Sequence, residues 1–94
     1  MVATIYELST RFDSRASFYG KAQVVIEGDT ETLCSYSVPV VQKKGNTYLF
    51  SESWNASDTT LRHVKEYLRQ HGWSSMTKAE LAKKIKEENL IGNF

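Results

Sequence analysis

One cysteine, Cys34, is too few for a disulfide within the chain. Its place in an apolar alternating run predicts a small buried core residue rather than a nucleophile or a metal ligand. One proline, Pro39, cannot donate to a β ladder, so it is expected at an edge or a bulge. Net charge is scarce at +1; residues 1–56 hold five Lys/Arg against six Asp/Glu, and the remainder seven against five. Neither half can neutralise several duplex phosphates at once, which argues against strong non-specific DNA binding. No apolar run approaches the roughly 20 residues of a membrane span. Nor does any amino-terminal run read as a secretory leader. The expectation is a soluble, cytoplasmic protein with no membrane contact.

Chemical motifs are equally sparse. There is no G-x-G-x-x-G and no P-loop. His63 and His71 stand eight residues apart on one predicted helix, about 12 Å in rise, and neither has a cysteine or carboxylate at ligand spacing, so no metal is expected. A hydrolase needs a nucleophile, a base and an orienting group that converge, and no Ser or Thr is marked as activated. Glu87 and Glu88, in a lysine-rich segment, read as a solvated face rather than as paired catalytic acids. The expectation is a non-enzyme without a cofactor.

What is present is an orderly succession of elements. Ninety-four residues make one domain, 1–94, with a modest core. The organising stretch is Trp54 to Gly72. Ser57 reads as an N-cap, and Asp58 suits the positive end of the helix dipole. Gly72 can close the helix in the left-handed conformation, bringing Trp73 onto Leu68. Leu61, Val64 and Leu68 form the docking stripe, and Arg62, Lys65, Glu66, Arg69 and Gln70 fall on faces expected to be wet. His71, in the last turn, is expected as a cation at the negative helix end. A second helix begins at Thr77, which forms a capping box with Glu80, flanked by a staple of Met76 and Leu81. It carries the i,i+4 pairs Glu80–Lys84 and Lys84–Glu88 and ends at Asn89 or Gly92.

Ahead of these helices the pattern is that of strands. Val2–Leu8, Phe18–Ile26, Thr32–Val41 and Thr47–Ser51 are predicted strands, separated by a loop at 9–17, a turn at Gly28 and a turn over Lys43–Asn46. Gly20, within the second run, predicts a bulge or a close approach. Uniting the faces Phe18–Ile26 and Cys34–Val40 requires Ile26 opposite Thr32, hence a three-residue loop at Gly28–Thr30 or a bulge. The whole predicts an α+β fold: an antiparallel three- to four-stranded β meander followed by two α-helices, the first packed on the sheet. Trp54 is expected as a wedge between the layers. An open sheet edge could pair with a second copy.

Among candidate binding residues, Arg62, Lys65 and Arg69 form a basic strip on the first helix. His63 continues it in a row with Thr60 and Tyr67, a row that more often flanks a buried stripe. Tyr36 and Trp54 are candidate aromatic anchors. The two helices resemble a helix-turn-helix only loosely, because their connection is long and no third helix follows.

Several segments together carry a family resemblance. They are Ser17-Phe18-Tyr19-Gly20-Lys21-Ala22, Ser35-Tyr36-Ser37-Val38-Pro39-Val40, and Trp54 followed by Ser57, Thr59-Thr60, Arg62-His63-Val64, Tyr67-Leu68 and Gly72-Trp73. Over roughly residues 17–82 the chain resembles small uncharacterised proteins encoded by phages and mobile elements of Gram-positive bacteria. The resemblance implies a host bacterial cytoplasm and a small phage-type accessory protein acting by non-enzymatic macromolecular binding. The implied role extends to inhibition of a host defence system, as anti-CRISPR proteins inhibit an effector nuclease. The partner is then a host or phage protein, including a nucleic-acid-bound nuclease. The alternative is an accessory or regulatory protein that binds nucleic acid directly through the basic strip of the 58–71 helix.

Overall fold

A computed structural model describes residues 3–13, 18 and 20–94. The expectations that fall on Val2, Ser14 to Ser17 and Tyr19 lie outside the described residues. Five strands precede two helices: β1 (Thr4–Glu7), β2 (Ala22–Glu27), β3 (Thr30–Ser35), β4 (Val38–Lys44), β5 (Thr47–Phe50), α1 (Asp58–Gln70) and α2 (Lys78–Glu87). The strands form one antiparallel meander in sequence order. The fold is α+β with the helices on one side, and its sheet has five strands rather than three or four.

The extra strand comes from a turn that alternation hides. Residues 32–41 read as one strand, yet Ser35 pairs with Val38 across a two-residue loop, Tyr36-Ser37. Both loop residues have positive φ, 51° and 66°, the arrangement of a type I′ hairpin, which normally selects Asn and Gly. Neither residue advertises a turn, so the sequence pattern runs straight through it.

The first hairpin register also differs from expectation. Ile26 pairs with Glu31 and Val24 with Leu33, across the two-residue loop Gly28-Asp29. Positive φ falls on Gly28 alone, which matches a type II′ turn with glycine first. A three-residue loop would be needed to unite the two faces only if one unbroken strand ran to Val41, and the chain turns instead at Tyr36-Ser37. The inward residues of β3 are instead Leu33 and Ser35, both buried. Cys34 turns to the other face, half-buried, rather than into the core. A bulge follows: Leu33 pairs with Val41 but Cys34 with Pro39. Val40 is the additional residue, so Val40 and Val41 are both buried in succession. Pro39 therefore sits beside the bulge, as its missing donor requires. The last hairpin turns at Gly45-Asn46, two residues later than the predicted start, because Lys43 and Lys44 belong to β4. Gly20 precedes β2 in a turn and is not a bulge within the strand.

One row across the sheet, Val24, Leu33, Val41 and Phe50, forms the core floor. Val64, Tyr67 and Leu68 of α1, and Leu81 and Ile85 of α2, complete the core. Each large apolar side chain so buried contributes about 1.5–3 kcal/mol. Trp54 fills the corner between layers, its ring edge-on to Phe50 at 6.4 Å.

Both helices end as their sequences predict. Ser57 Oγ accepts from Thr60 N at 3.0 Å. At the other end Trp73 N donates to Leu68 O and Gly72 N to Arg69 O, with Gly72 at φ 90°. The Thr77–Glu80 capping box is formed in both directions. Asn89, at φ 54°, closes α2. Lys84 pairs with Glu88 and Lys83 with Glu87, while Glu80 serves the cap rather than Lys84. No helix among the described residues is long and apolar enough to cross a membrane.

Candidate functional site

Helical periodicity turns Arg62, Lys65, Glu66, Arg69 and Gln70 away from Val64 and Leu68, so this side of α1 was expected in water. It is not simply wet, because the segment from Ser9 to Asp13 is strapped along it. Glu66 is buried, and its Oε1 accepts the backbone N–H of both Phe12 and Asp13 at 2.8 Å. Gln70 Nε2 donates to the other carboxylate oxygen at 2.7 Å and to Ser9 O at 2.6 Å. Arg62 donates to Asp13 Oδ1 at 2.9 Å. The Arg69 guanidinium lies 4.7 Å from the centre of the Phe12 ring. Hydrogen bonds to a charged acceptor contribute about 1.5–3 kcal/mol each, so the Glu66 carboxylate is the main fastening.

Between this strap and the connection after α1 lies a groove of about 810 Å³ bordered by Phe12, Arg62, Lys65, Arg69 and Ser75. Phe12 is 54% exposed. Lys65 and Arg69 make no ion pair among the described residues. Carboxylates are interleaved with the cations: Asp58, Asp13 and Glu66 also border the groove.

The six expected binding residues do not converge. Arg62, Lys65 and Arg69 line this groove. Tyr36 stands 48% exposed at the β3–β4 turn on the other flank of the helix, with Lys21 Nζ 5.6 Å from its ring centre. His63 and Trp54 are inside the protein, 1% and 6% exposed, and cannot line a surface as they stand. His63 is drawn inward because its neighbours on the helix face β3, where Ser35 offers a polar contact. Sequence reasoning missed Phe12, Asp13, Glu66 and Gln70. Phe12 carried a signal, as the lone apolar residue of a polar loop; Glu66 carried none.

The buried polar chemistry sits on the flank away from the groove. Ser57 Oγ donates to Thr60 Oγ1 at 3.1 Å, Thr60 Oγ1 lies 3.0 Å from Ser35 Oγ, and Ser35 Oγ lies 2.8 Å from His63 Nδ1. A serine within reach of a histidine suggests a nucleophile and base. Here both are under 3% exposed, and the Phe18 ring stands 4.5 Å from the imidazole with Tyr36 at 5.8 Å. No substrate atom can approach Ser35 in this arrangement.

A second cluster surrounds Glu31. Tyr67 donates its hydroxyl to Glu31 Oε1 at 3.0 Å, and His71 Nε2 lies 3.8 Å from the same atom. Burial first, then Glu31, holds the Tyr67 hydroxyl far above the usual phenol range, so it remains a donor. Burial pulls the pKa of His71 down; Glu31 opposes this and Lys43 reinforces it. The imidazolium expected at the helix end is thus disfavoured by desolvation. Burial also raises the Cys34 thiol, which keeps it protonated and unreactive. Among the described residues no group of three or more His, Cys, Asp or Glu could hold a metal ion.

Residues 6–83 fit the model of DUF8033, a family of unknown function, a span running from β1 into α2. No curated protein and no solved structure matches the chain.

Proposed function

We propose that this chain, which belongs to the DUF8033 family of unknown function, acts by non-enzymatic binding of another protein through the groove on α1. One observation carries the reading: the chain's own segment Ser9–Asp13 lies along this helix face and bends over it, held by a carboxylate, an amide and two guanidinium groups. Those groups engage peptide N–H, C=O, carboxylate and an aromatic ring, which is the chemistry of polypeptide recognition. Exposed Phe12, stacked on Arg69, offers an aromatic anchor with an arginine beside it, the residue types that dominate binding hot spots.

Direct nucleic-acid binding is the second reading, and the interleaved carboxylates weigh against it. A phosphate backbone needs successive cations, whereas Arg62 is already paired with Asp13, and Asp58 and Glu66 border the same groove. The closed Ser35–His63 pair supports a structural role rather than a catalytic one. The finer part of the proposal, a phage-type accessory protein that blocks a defence nuclease in a bacterial cytoplasm, rests on the sequence resemblance.

The test is affinity capture from a lysate of the source organism, with and without nuclease, using the natural chain and a Lys65→Glu, Arg69→Glu variant. A protein retained after nuclease by the natural chain and lost by the variant supports the reading. Capture of nucleic acid alone would replace it with the second. Equal capture by both chains would remove the groove from the account.

A further inference from the structure

We propose that the free edge of β1 pairs antiparallel with β1 of a second copy of this chain, about a two-fold axis at Ile5, giving a homodimer with one continuous ten-stranded sheet. The starting point is the direction of the backbone groups. Leu8 N donates to Ala22 O at 2.9 Å, and Tyr6 and Thr4 stand opposite Val24 and Ile26 in the same register. In an antiparallel ladder the hydrogen-bonded residues alternate. Thr4, Tyr6 and Leu8 therefore turn N–H and C=O toward β2, while Ala3, Ile5 and Glu7 turn theirs outward.

The two edges of the sheet are treated differently. At β5, Phe50 N donates to Leu90 O at 2.7 Å and Gly92 N to Phe50 O at 3.0 Å, so the tail after α2 closes that edge. At β1 no such cover exists among the described residues. All four strand residues are exposed, Ile5 at 60% and Tyr6 at 42%.

The edge is complementary to itself in one register. With Ile5 opposite the second copy's Ile5, these two exchange both hydrogen bonds. Ala3 then meets Glu7 on either side, so every outward N–H and C=O from Ala3 to Glu7 is satisfied. On the sheet face away from the helices Ile5 lies beside half-buried Val25, and the seam would join Val25 and Ile5 of each copy into one apolar strip. On the helix side Tyr6 stands opposite the second copy's Thr4, a non-hydrogen-bonded pair in which side chains approach closely. Shifting the axis to Glu7 would set two carboxylates opposite each other, and shifting it to Tyr6 would set Ile5 against Glu7. Both are poorer cross-strand pairs. The strand is short and ends in an acid, features that limit edge pairing. The contact is smaller than the roughly 1,200 Å² of stable complexes, so the dissociation constant is expected on the order of 0.1–1 mM.

Sedimentation equilibrium and amide exchange on the full chain, from about 10 μM to about 1 mM, test this. Dimer should accumulate across that range. The Ile5 and Glu7 amides should become protected as it does, while those of Tyr6 and Leu8 are protected throughout. Ile5→Pro removes an outward donor without touching the β1–β2 ladder, and Ile5→Lys sets two cations opposite each other. Each should weaken association at least tenfold, with the Ile5→Lys measurement standing alone if Ile5→Pro does not fold. A chain that stays monomeric at 1 mM overturns the proposal. So does a dimer that Ile5→Lys leaves unchanged, or one whose concentration-dependent protection falls elsewhere.

Discussion

Ser35 Oγ and His63 Nδ1 lie 2.8 Å apart, joining the last residue of β3 to the middle of α1 with neither side chain open to water. Thr60 and Ser57 extend the contact to the helix N-terminus. This chain of hydroxyls is the main polar weld between the layers, and it ends directly beneath the strained Tyr36-Ser37 turn.

Removing its central member should be costly. Ser35→Ala strips a partner from His63 and from Thr60 in a buried setting, so stability should fall by about 1–3 kcal/mol. The melting temperature should drop by roughly 4–8 °C per kcal/mol. Urea denaturation checks this; a loss below about 0.5 kcal/mol, the range of ordinary surface changes, would mean the weld contributes little.

The strap along α1 depends on one carboxylate. Glu66→Ala should destabilise the protein by about 2 kcal/mol and expose the Phe12 and Asp13 amides to exchange while the α1 amides stay protected. Glu66→Gln keeps one acceptor and should fall between the natural chain and Glu66→Ala. Unchanged exchange at Phe12 and Asp13 in Glu66→Ala would contradict the fastening described.

Ser37, at φ 66°, occupies a conformation costing a non-glycine residue about 1–2 kcal/mol. Ser37→Gly relieves that cost but adds freedom to the unfolded chain. The net expectation is a gain of a few tenths to about 1 kcal/mol, read as a higher denaturation midpoint. Tyr36→Gly should not gain in the same way, because it also removes the ring that lies over His63.

His71 should make stability depend on pH near neutrality. Burial lowers its folded pKa below the ordinary 6.5, with Lys43 adding to the effect and Glu31 opposing it. The folded state therefore binds this proton less readily than the unfolded state. Its contribution is fully present above about pH 6.5 and is lost as pH falls through 6.5 toward the lower folded value. Between pH 8 and 5.5 the urea midpoint of the natural chain should fall more than that of His71→Gln. A natural chain that gains on the variant as pH drops would reverse the sign.

Much of the fold is legible from local signals. Ser57, Gly72 and the Thr77–Glu80 box set helix ends because a cap is chemistry between residues three or four apart, and those contacts appear as expected. Strand identity came through for the same reason, with the exception at Tyr36-Ser37. There, two residues unsuited to positive φ form the turn; the Tyr36 ring lies near His63, and adjoining Ser35 bonds the same imidazole, contacts between segments far apart in the chain. Parity then failed downstream, because one unseen turn and one bulge each exchange the two faces of a strand.

The sequence by itself determined where the helices start and stop, the succession of sheet then helices, and the core stripe through Val64 and Leu68. These follow from hydrogen bonds and periodicities that close within one or two turns of chain. Only the tertiary structure decided which hairpin register forms, that His63 is interior and bonded to Ser35, and that the charged face of α1 receives a strap. Glu66 meets its donors 53 and 54 residues away, and a carboxylate reads as solvated until the fold delivers the backbone N–H groups that justify burying it.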